Sequence, residues 1–382
     1  MAKKEDKHDA IRIAMVMGKW NGGGIESTVM NYYRHMDRSV VQFDFIYEEG
    51  STSVPVKEVK ELGGKLFECP DIRDYSAYLK AMEAFFSESD YKIVDSNINE
   101  FSVLPLKAAK KVGIPIRIAH SYCASPYNGA IRNNFKLSMM GKMLKPQIKN
   151  YANVYLASTE YAGEWLFGKG ADFTVVNNAI DINRFKYDGR ARRVRRKEAG
   201  IKDDTLVIGH IGKFVEQKNH KYLIDIFDKI HKKNPNSILR LVGGGPLVDS
   251  IKAHVKELGL VNCVEFLGQI DDPEKFYLTL DIFLLPSLYE NLPLVSVEAQ
   301  ASGLLCFFTD EMPREAQILD STAFMSVKDA PSKWASAILE KNKTFKRVNT
   351  RDILSASNFD IKKEANKLQT MYLDLLESEL VQ

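Results

Sequence analysis

Short apolar runs rich in β-branched residues alternate with longer amphipathic segments along most of the chain. A first series covers residues 11–16, 43–47, 91–95, 116–120, 154–158 and 173–177, and a second covers residues 205–212, 237–244, 264–268, 281–287 and 304–308. Nearly continuous apolar runs of this length are typical of strands in a parallel sheet that helices cover on both faces. The pattern therefore predicts an α/β protein.

The two series of predicted strands are separated by a polar stretch, KYDGRARRVRRKEAGIKDD, at residues 186–204. A chain of 382 residues also exceeds the roughly 250–300 residues that one hydrophobic core usually organises. We therefore expect two consecutive α/β units joined near residue 180. The chain ends in a helix-like segment with an apolar stripe that must be buried against another element, formed by Ile361, Ala365, Leu368, Tyr372 and Leu375.

The charge balance does not favour a nucleic-acid partner, because 53 basic and 50 acidic residues leave a formal net charge of only +3. The basic run at 190–198 is either an anion-binding patch for nucleic acid or phospholipid, or a solvated helix face. Charge runs of this kind are more often solvated faces.

The cysteines and the N-terminus indicate the compartment. Neither a zinc site nor a disulfide framework is suggested, since four cysteines stand far apart, namely Cys69, Cys123, Cys263 and Cys306. The N-terminal MAKKEDKHDA lacks the apolar core of a signal peptide, and no apolar run approaches the ~20 residues that a membrane helix needs. We expect a soluble cytoplasmic protein, at most peripheral at the inner face of the cell membrane.

Glycine-rich turns follow two of the predicted strands, and a loop with two lysines follows a third. Gly22, Gly23 and Gly24 precede a helix-like segment, and residues 243–246, GGGP, precede another. Small residues let a phosphate or sugar approach the backbone and the helix N-terminus beyond it, although a plain tight turn would look the same. Lys213 and Lys218 flank a loop after a third strand, where two ammonium groups would neutralise a diphosphate. Several such turns at carboxyl ends of strands suggest a ligand in a crevice.

The segment SLYENLPLVSVEAQASG, residues 287–303, carries two glutamates in an apolar run. Pro293 is expected to open a helix that Gly303 ends, which places Glu290 in the preceding loop and Glu298 inside the helix. The two carboxylates then do not share a helix face, which argues against a paired acid/base site. We expect Glu298 to be buried, so it needs a partner. Either a vicinal diol such as ribose, or a structural contact with a lysine or a backbone cap, would satisfy it.

These motifs together resemble the retaining glycosyltransferases of family 4, and within them the bacterial capsule and exopolysaccharide branch. The signature is Glu290, seven residues and Glu298, preceded by a strand and LPS and followed by AQASG. The supporting motifs occur in the family's order: GGGIE (22–26), IAHS (118–121), HIGKFVEQKN (210–219), VGGGP (242–246) and FLG (266–268). The resemblance extends from Ile11 to about Leu376.

The resemblance implies the GT-B fold, in which two Rossmann-like α/β/α domains have parallel sheets that face each other across a cleft. Residues 1–180 would form the N-terminal, acceptor-side domain, and residues 181–359 the C-terminal domain that binds the nucleotide sugar. Residues 360–382 would return as a helix to the N-terminal domain, which would bury the terminal apolar stripe.

The resemblance also implies roles for individual residues. Gly23 and Gly24 would border the donor diphosphate and His120 would face the donor sugar, although a strand-end histidine is also often satisfied by a backbone carbonyl. Lys213 and Lys218 would grip the diphosphate, Glu290 would bond hydroxyls of the transferred sugar, and Glu298 the ribose diol. Backbone groups would bind the sugar and diphosphate at Asn291, Leu292, Pro293 and Leu294, and the base at Gly268, Gln269 and Ile270.

The chain departs from most relatives at two points. A lysine, Lys213, stands where arginine is usual, and it cannot form the bidentate fork to phosphate, so the grip would depend more on Lys218. Asn291 and Leu292 stand where glycine and an aromatic residue are usual, which bears on the identity of the sugar.

The implied reaction is transfer of a sugar from a nucleotide sugar with retention of configuration. Cations and helix N-termini would stabilise the departing diphosphate, each worth about 3 kcal/mol. We expect no metal ion and no cofactor, because the sequence contains no Asp-x-Asp pair. The donor is expected to be a UDP-sugar carrying a hexose or an N-acetylhexosamine. A nucleotide-sugar epimerase or hydrolase, or a non-catalytic sugar-nucleotide-binding protein, is the alternative.

A glycan or a lipid-linked molecule is the expected acceptor. Residues 131–151 place Ile131, Phe135, Met139, Met143 and Leu144 on one stripe, with lysines and an arginine interspersed. A basic amphipathic helix of this kind either lies on an anionic membrane or docks on its own domain.

Overall fold

The computed structural model describes residues 10–122 and 135–380. The strands are β1 Ile11–Val16, β2 Val41–Glu48, β3 Lys65–Cys69, β4 Ile93–Ser96, β5 Ile116–Ser121, β6 Val154–Ala157, β7 Thr174–Val175, β8 Leu206–Ile211, β9 Ser237–Val242, β10 Val264–Phe266, β11 Ile282–Leu285, β12 Leu305–Thr309 and β13 Ala323–Met325. The α-helices are α1 Gly24–His35, α2 Val56–Glu61, α3 Tyr75–Ser87, α4 Val103–Lys111, α5 Phe135–Leu144, α6 Ile148–Tyr151, α7 Glu160–Phe167, α8 Ile182–Phe185, α9 Gly189–Glu198, α10 His220–Lys233, α11 Val248–Glu257, α12 Pro273–Thr279, α13 Leu294–Ala301, α14 Pro331–Thr344, α15 Arg351–Ala356 and α16 Ile361–Leu380.

The chain divides into two compact units, the first formed by residues up to Ala179 together with those from Ile361 onward, and the second by Ile180–Asp360. These bounds lie within one residue of those expected from the sequence. The second unit begins and ends at neighbouring positions, because Ile180 and Asp360 form a parallel bridge.

The first unit is built on a seven-stranded sheet in the order β3-β2-β1-β4-β5-β6-β7. All neighbouring strands are parallel. Alternate residues of β1 point to opposite faces, so that Ile13 and Met15 enter one buried cluster and Ala14 and Val16 the other. Both faces of the sheet are therefore covered, as the apolar runs predict.

The second unit contains a six-stranded parallel sheet in the order β10-β9-β8-β11-β12-β13. Ile282 and Leu284 of β11 belong to one buried cluster, and Phe283 and Leu285 belong to the other. In both units the strand order reverses direction beside the first strand, which is the arrangement of a Rossmann-like sheet. The predicted α/β class is confirmed.

Every strand predicted from an apolar run is present, and the described ranges 10–122 and 135–380 contain two further strands that were not predicted. β3 has the sequence KLFEC, in which the charged Lys65 and Glu68 interrupt the apolar residues. β13 has only three residues, Ala323–Met325. Both lie at a sheet edge, where a strand needs apolar residues on fewer positions.

The terminal helix α16 packs on the first unit, as expected from the sequence. Ile361, Ala365, Leu368 and Tyr372 are buried in the same cluster as Ile13 and Met15 of β1. The helix also lies against α1. Its apolar stripe therefore covers one face of the first sheet.

The basic run at 190–198 forms α9, and two of its arginines are structural. Arg196 is buried and donates to the carbonyl oxygens of Thr205 and Thr279, at 2.6 and 3.0 Å. Arg192 donates to the carbonyl of Leu280 at 2.6 Å and to the Asp281 carboxylate at 2.6 Å. For Arg192 and Arg196, both interpretations of the basic run are therefore wrong. Their guanidinium groups are neither free to bind an anionic partner nor fully solvated, because they donate to carbonyl and carboxylate oxygens of the same unit.

Candidate functional site

The second sheet reverses its order between β8 and β11, so the loops after these two strands lie side by side. The Leu288 N–H donates to the Gln217 carbonyl at 2.8 Å, and the Gln217 amide donates to the Tyr289 carbonyl at 3.1 Å. The Asn219 amide donates to the Pro286 carbonyl at 3.1 Å. In open parallel sheets, ligands bind at this reversal, beyond the carboxyl ends of the strands.

Glycines bring the loop after β9 into backbone contact with the loop after β8. The Phe214 N–H donates to the Gly244 carbonyl at 2.9 Å. Gly243 has φ +131°, and a Cβ there would lie 2.1 Å from the Gly212 carbonyl oxygen. Gly245 has φ +151°, and its Cβ would lie 2.6 Å from the Phe214 carbonyl oxygen. Only glycine therefore permits this approach.

Lys218 and Glu290 come together at the reversal. The Lys218 ammonium donates to Glu290 Oε1, and the two side chains are 15% and 5% exposed. Lys213, from the same loop as Lys218, is exposed. Of the two predicted lysines, only Lys218 is thus held in place by a described ion pair.

The helix predicted at 293–302 is α13, with Pro293 as its N-cap residue rather than its first residue. Gly303, at φ +65°, follows the helix end as predicted. Leu292 is buried in the core of the second unit, whereas Asn291 and Leu294 keep part of their surface exposed. The backbone from Asn291 to Leu294 therefore runs along the start of α13, beside Glu290.

Glu298 lies inside α13 and accepts a hydrogen bond from the Tyr277 hydroxyl at 2.9 Å. The residue is largely buried, as expected, and keeps only part of its surface exposed. Burial raises the pKa of Glu298 to about 7, and the hydrogen bond from Tyr277 offsets part of that effect. Among the described residues, the partner of the Glu298 carboxylate is thus a tyrosine hydroxyl. The structural alternatives considered from the sequence, a lysine or a backbone cap, are not the partner.

Residues 268–270 follow β10 at the same edge of the sheet. Gly268 has φ +67°, and its carbonyl accepts from the Gly243 N–H at 2.8 Å. Gln269 is exposed, and Ile270 packs against the core that contains Leu292. The structure therefore connects this turn to the loop after β9.

Two buried histidines, His210 and His220, lie next to the loop that carries Lys213 and Lys218, and the sequence motifs did not indicate them. His210 Nδ1 lies 2.8 Å from the Leu284 carbonyl, and the His220 ring stacks on Phe214 at 3.9 Å. Burial lowers the pKa of His210 to about 4 and that of His220 to about 2, so both rings are neutral at physiological pH. The signal for His210 was a histidine inside an otherwise apolar strand.

The remaining predicted residues belong to the first unit. Gly22 has φ +70°, Gly23 is the N-cap of α1, and Gly24 is its first residue. A Cβ at Gly23 would meet the Glu26 carboxylate at 2.5 Å, and a Cβ at Gly24 would meet nothing within 4 Å. Gly22 is therefore required for the backbone conformation of the turn, whereas a side chain at Gly24 would be tolerated.

His120 lies near the end of β5 and is 2% exposed. Its ring stacks on Tyr122 at 4.2 Å, and Nδ1 lies 3.3 Å from the Tyr122 hydroxyl. Among the described residues, Nε2 has no hydrogen-bond partner. The sequence left open that a backbone carbonyl accepts a hydrogen bond from the His120 ring. The described residues show no such bond.

Comparison with known proteins identifies the family. The family model for glycosyl transferases group 1 matches residues 191–343. EpsF of Bacillus subtilis (strain 168), a protein named as a glycosyltransferase, is 30% identical over 371 residues, which cover 94% of this chain and 96% of EpsF. The UDP-Gal:alpha-D-GlcNAc-diphosphoundecaprenol alpha-1,3-galactosyltransferase of Escherichia coli is 22% identical over 97% of this chain and 98% of its own length.

Solved structures match the fold over nearly the whole chain. Alr3699/HepE of Anabaena, crystallised in complex with UDP-glucose, has a TM-score of 0.77 at 16% identity and covers 95% of this chain and 99% of its own. Sucrose-phosphate synthase of Thermosynechococcus elongatus has a TM-score of 0.74 at 16% identity, covering 96% of this chain and 100% of its own.

The protein is therefore a glycosyltransferase with the GT-B fold. It belongs to the group 1 glycosyl transferases, because a relative of 30% identity matches it almost from end to end. The family resemblance inferred from the motifs is confirmed.

Replacing Gly243 with alanine should destabilise the protein by about 2 kcal/mol or more, because the new Cβ meets the Gly212 carbonyl and the backbone is in a glycine conformation. The thermal unfolding midpoint should fall by at least about 4 °C. Gly244→Ala is the matched control, since its Cβ would meet nothing within 4 Å. Equal midpoints for the two variants would contradict the described loop contact.

Proposed function

We propose that this glycosyltransferase takes its sugar from a UDP-sugar, retains the anomeric configuration, and needs no metal ion. The acceptor is a glycan or a lipid-linked molecule, in capsule or exopolysaccharide synthesis. The observation that carries the proposal is the Lys218–Glu290 ion pair at the reversal of the second sheet, beside the start of α13. A cation, a carboxylate and a helix N-terminus there match a diphosphate with a sugar at one end.

The departing diphosphate needs positive charge at the bond that breaks. Lys218 is held at the site, and the exposed Lys213 belongs to the same loop. A diphosphate beside α13 competes with Glu290 for the Lys218 ammonium. When Lys218 turns to the phosphate, the Glu290 carboxylate becomes available to accept hydroxyl groups of the transferred sugar.

Glu298 supplies the contact to the ribose. An ionised carboxylate accepts hydrogen bonds from both hydroxyls of a vicinal diol, which compensates its burial. The Tyr277 hydroxyl donates to one oxygen of the carboxylate, Oε2, at 2.9 Å. Residues Gly268, Gln269 and Ile270, at the same edge, are the proposed contact to the base.

The choice of uridine and of the acceptor is supported by the names of similar proteins. The Escherichia coli relative is named for UDP-Gal and for a diphosphoundecaprenol acceptor, and HepE was crystallised with UDP-glucose. Retention, and the roles of His120, Gly23 and Gly24 toward the donor, are supported by the family resemblance. In the working mechanism the acceptor attacks from the face that the diphosphate leaves, and the leaving phosphate takes the acceptor's proton.

Donor binding and turnover test the proposal. In a thermal-shift panel of UDP-, GDP- and ADP-sugars, a UDP-sugar should raise the unfolding midpoint most, since a ligand that binds the native state stabilises it. With that donor, Lys218→Met should lower kcat/KM by about 100-fold, the loss typical of one preorganised donor. Lys213→Met should cost less, about tenfold, because the side chain is solvated.

The same assay contains its controls. Activity should survive EDTA treatment, and the anomeric proton coupling of the product should match that of the donor. No shift with any nucleotide sugar, or equal losses for both lysine variants, would contradict the assigned donor grip. Release of free nucleotide without an acceptor product would indicate hydrolysis instead of transfer.

Donor affinity should increase with pH through neutrality. Burial raises the pKa of Glu298 to about 7, so at pH 6 the carboxyl is mostly protonated and must lose its proton to accept the ribose diol. The affinity for UDP-glucose, measured by calorimetry, should therefore rise about tenfold from pH 6 to pH 8 and then level off. Glu298→Gln should bind more weakly and without this pH dependence. A flat wild-type profile would remove Glu298 from the ribose site.

We further propose that α5 touches an anionic membrane surface where a lipid-linked acceptor is presented. Met139 and Met143, one turn apart, are 48% and 69% exposed. Lys136 and Lys142 on the same helix are also exposed. Exposed apolar residues beside lysines suit the boundary between acyl chains and anionic headgroups.

One member of the predicted stripe, Leu144, belongs to the core of the first unit instead, together with two residues of the same helix that the stripe did not include. Leu144 is buried, and Leu137 and Met140 pack against the first unit. Ile131 lies outside the described residues. Among the described residues no helix is long and apolar enough to cross a membrane.

Liposome sedimentation tests the membrane contact. The protein should bind vesicles that contain phosphatidylglycerol and not purely phosphatidylcholine vesicles, and binding should weaken with salt. Met139→Ser with Met143→Ser should reduce binding at least about fivefold, since each exposed apolar side chain adds to insertion. Val261→Ser is the matched control, because Val261 is 59% exposed in the other unit. Equal binding to both vesicle types would exclude the proposal.

A further inference from the structure

A fully buried carboxylate lies beside His120 in the first sheet. Asp95, in β4, is paired in register with Met15 on one side and Ile118 on the other, and it is 0% exposed. Asp95 Oδ1 lies 3.8 Å from His120 Nδ1. Among the described residues Oδ1 has no hydrogen-bond partner. A buried carboxylate is costly, so a neighbouring N–H is expected to serve it.

The other oxygen of Asp95 is held by the terminal helix. The Tyr372 hydroxyl of α16 donates to Asp95 Oδ2 at 2.8 Å, and Tyr372 is fully buried. The residue is 277 positions away in the sequence from Asp95. The helix that covers the sheet therefore also fixes the orientation of this carboxylate.

The hydrogen bonds around His120 indicate which ring nitrogen carries the proton. The Asn97 amide nitrogen donates to the Asp95 carbonyl at 3.2 Å, so the amide oxygen faces Tyr122 and accepts its hydroxyl proton at 3.0 Å. The Tyr122 oxygen, 3.3 Å from His120 Nδ1, is then an acceptor. Nδ1 therefore carries the proton, and the nearby Asp95 carboxylate favours the same tautomer.

We propose that Asp95 is a positioning residue for His120, and that Tyr372 holds Asp95 in that role. The inference rests on the proposed function, in which His120 faces the transferred sugar. With the proton on Nδ1, the His120 Nε2 lone pair accepts a hydrogen bond from a sugar hydroxyl. Nε2 has no other partner in the described part of the chain, which fits a nitrogen reserved for a ligand.

The chain offers a matched pair of variants. Tyr372→Phe removes the hydroxyl that holds Asp95, and Tyr91→Phe removes a hydroxyl that donates to another buried aspartate, Asp44, at 2.7 Å in the same unit. Both changes delete one oxygen and cost a similar tyrosine–aspartate bond. Only the first of them is connected to His120.

Turnover should separate the two variants. Asp95→Asn and Tyr372→Phe should lower kcat by about 10- to 100-fold, less than the loss of a directly acting acid–base group, because both residues act only through His120, while the donor KM changes less than twofold. Tyr91→Phe should keep the wild-type kcat. Equal kcat values for Tyr372→Phe and Tyr91→Phe would overturn the proposal.

Nuclear magnetic resonance of ¹⁵N-histidine-labelled protein tests the tautomer without any activity. The His120 signals, assigned with His120→Gln, should show the proton on Nδ1 in the wild type and a shift toward Nε2 in Asp95→Asn. If the wild-type proton lies on Nε2, or if Asp95→Asn does not change the tautomer, the proposal that Asp95 positions His120 is wrong. If the tautomer is as expected but His120→Gln keeps full activity, the proposed role of His120 toward the sugar fails, and with it the functional part of the inference.

Discussion

A carboxylate removed from water must find a donor or a cation, and this constraint links the residues that we assign to the proposed site. Glu290 is satisfied by Lys218, Glu298 by Tyr277 and Asp95 by Tyr372. Each partner comes from a different element of the same unit, so each carboxylate is positioned by tertiary contacts rather than by its own strand or helix. One described protein partner satisfies only part of a carboxylate's capacity for hydrogen bonds, so Glu290 and Glu298, which keep part of their surface exposed, can accept further bonds from a polar ligand.

The parallel sheet decides where these groups meet. Carboxyl ends of parallel strands share one edge, and the reversal of strand order beside β8 brings the loop of Lys218 against the loop of Glu290. Gly243 and Gly245 then let the loop after β9 reach the same place, with backbone distances that no side chain would permit. The arrangement of these loops therefore requires the absence of a side chain at Gly243 and Gly245 as well as the charged residues Lys218 and Glu290.

The elements were largely predictable because strand cores are apolar runs, and the exceptions have physical reasons. β3 and β13 lie at sheet edges, where KLFEC carries charges and AFM is too short to be distinguished from a loop. The arginines of α9 were misread because a charge run does not reveal its partners. Arg196 is buried against carbonyl oxygens of residues up to 83 positions away. His210 and Asp95 were overlooked as polar residues in apolar strands, although such residues are the ones that burial forces into partnerships.

By itself the sequence determined the α/β class, the presence of most strands, the two glutamates that flank the start of α13, and the family. These features depend on local periodicity and on motifs of fixed spacing, which are properties of neighbouring residues. Only the tertiary structure decided that Glu290 pairs with Lys218, that Glu298 is held by Tyr277, and that the terminal helix holds Asp95 beside His120. Those pairings join residues that are between 21 and 277 positions apart, and strand order and helix packing, rather than sequence spacing, bring them together.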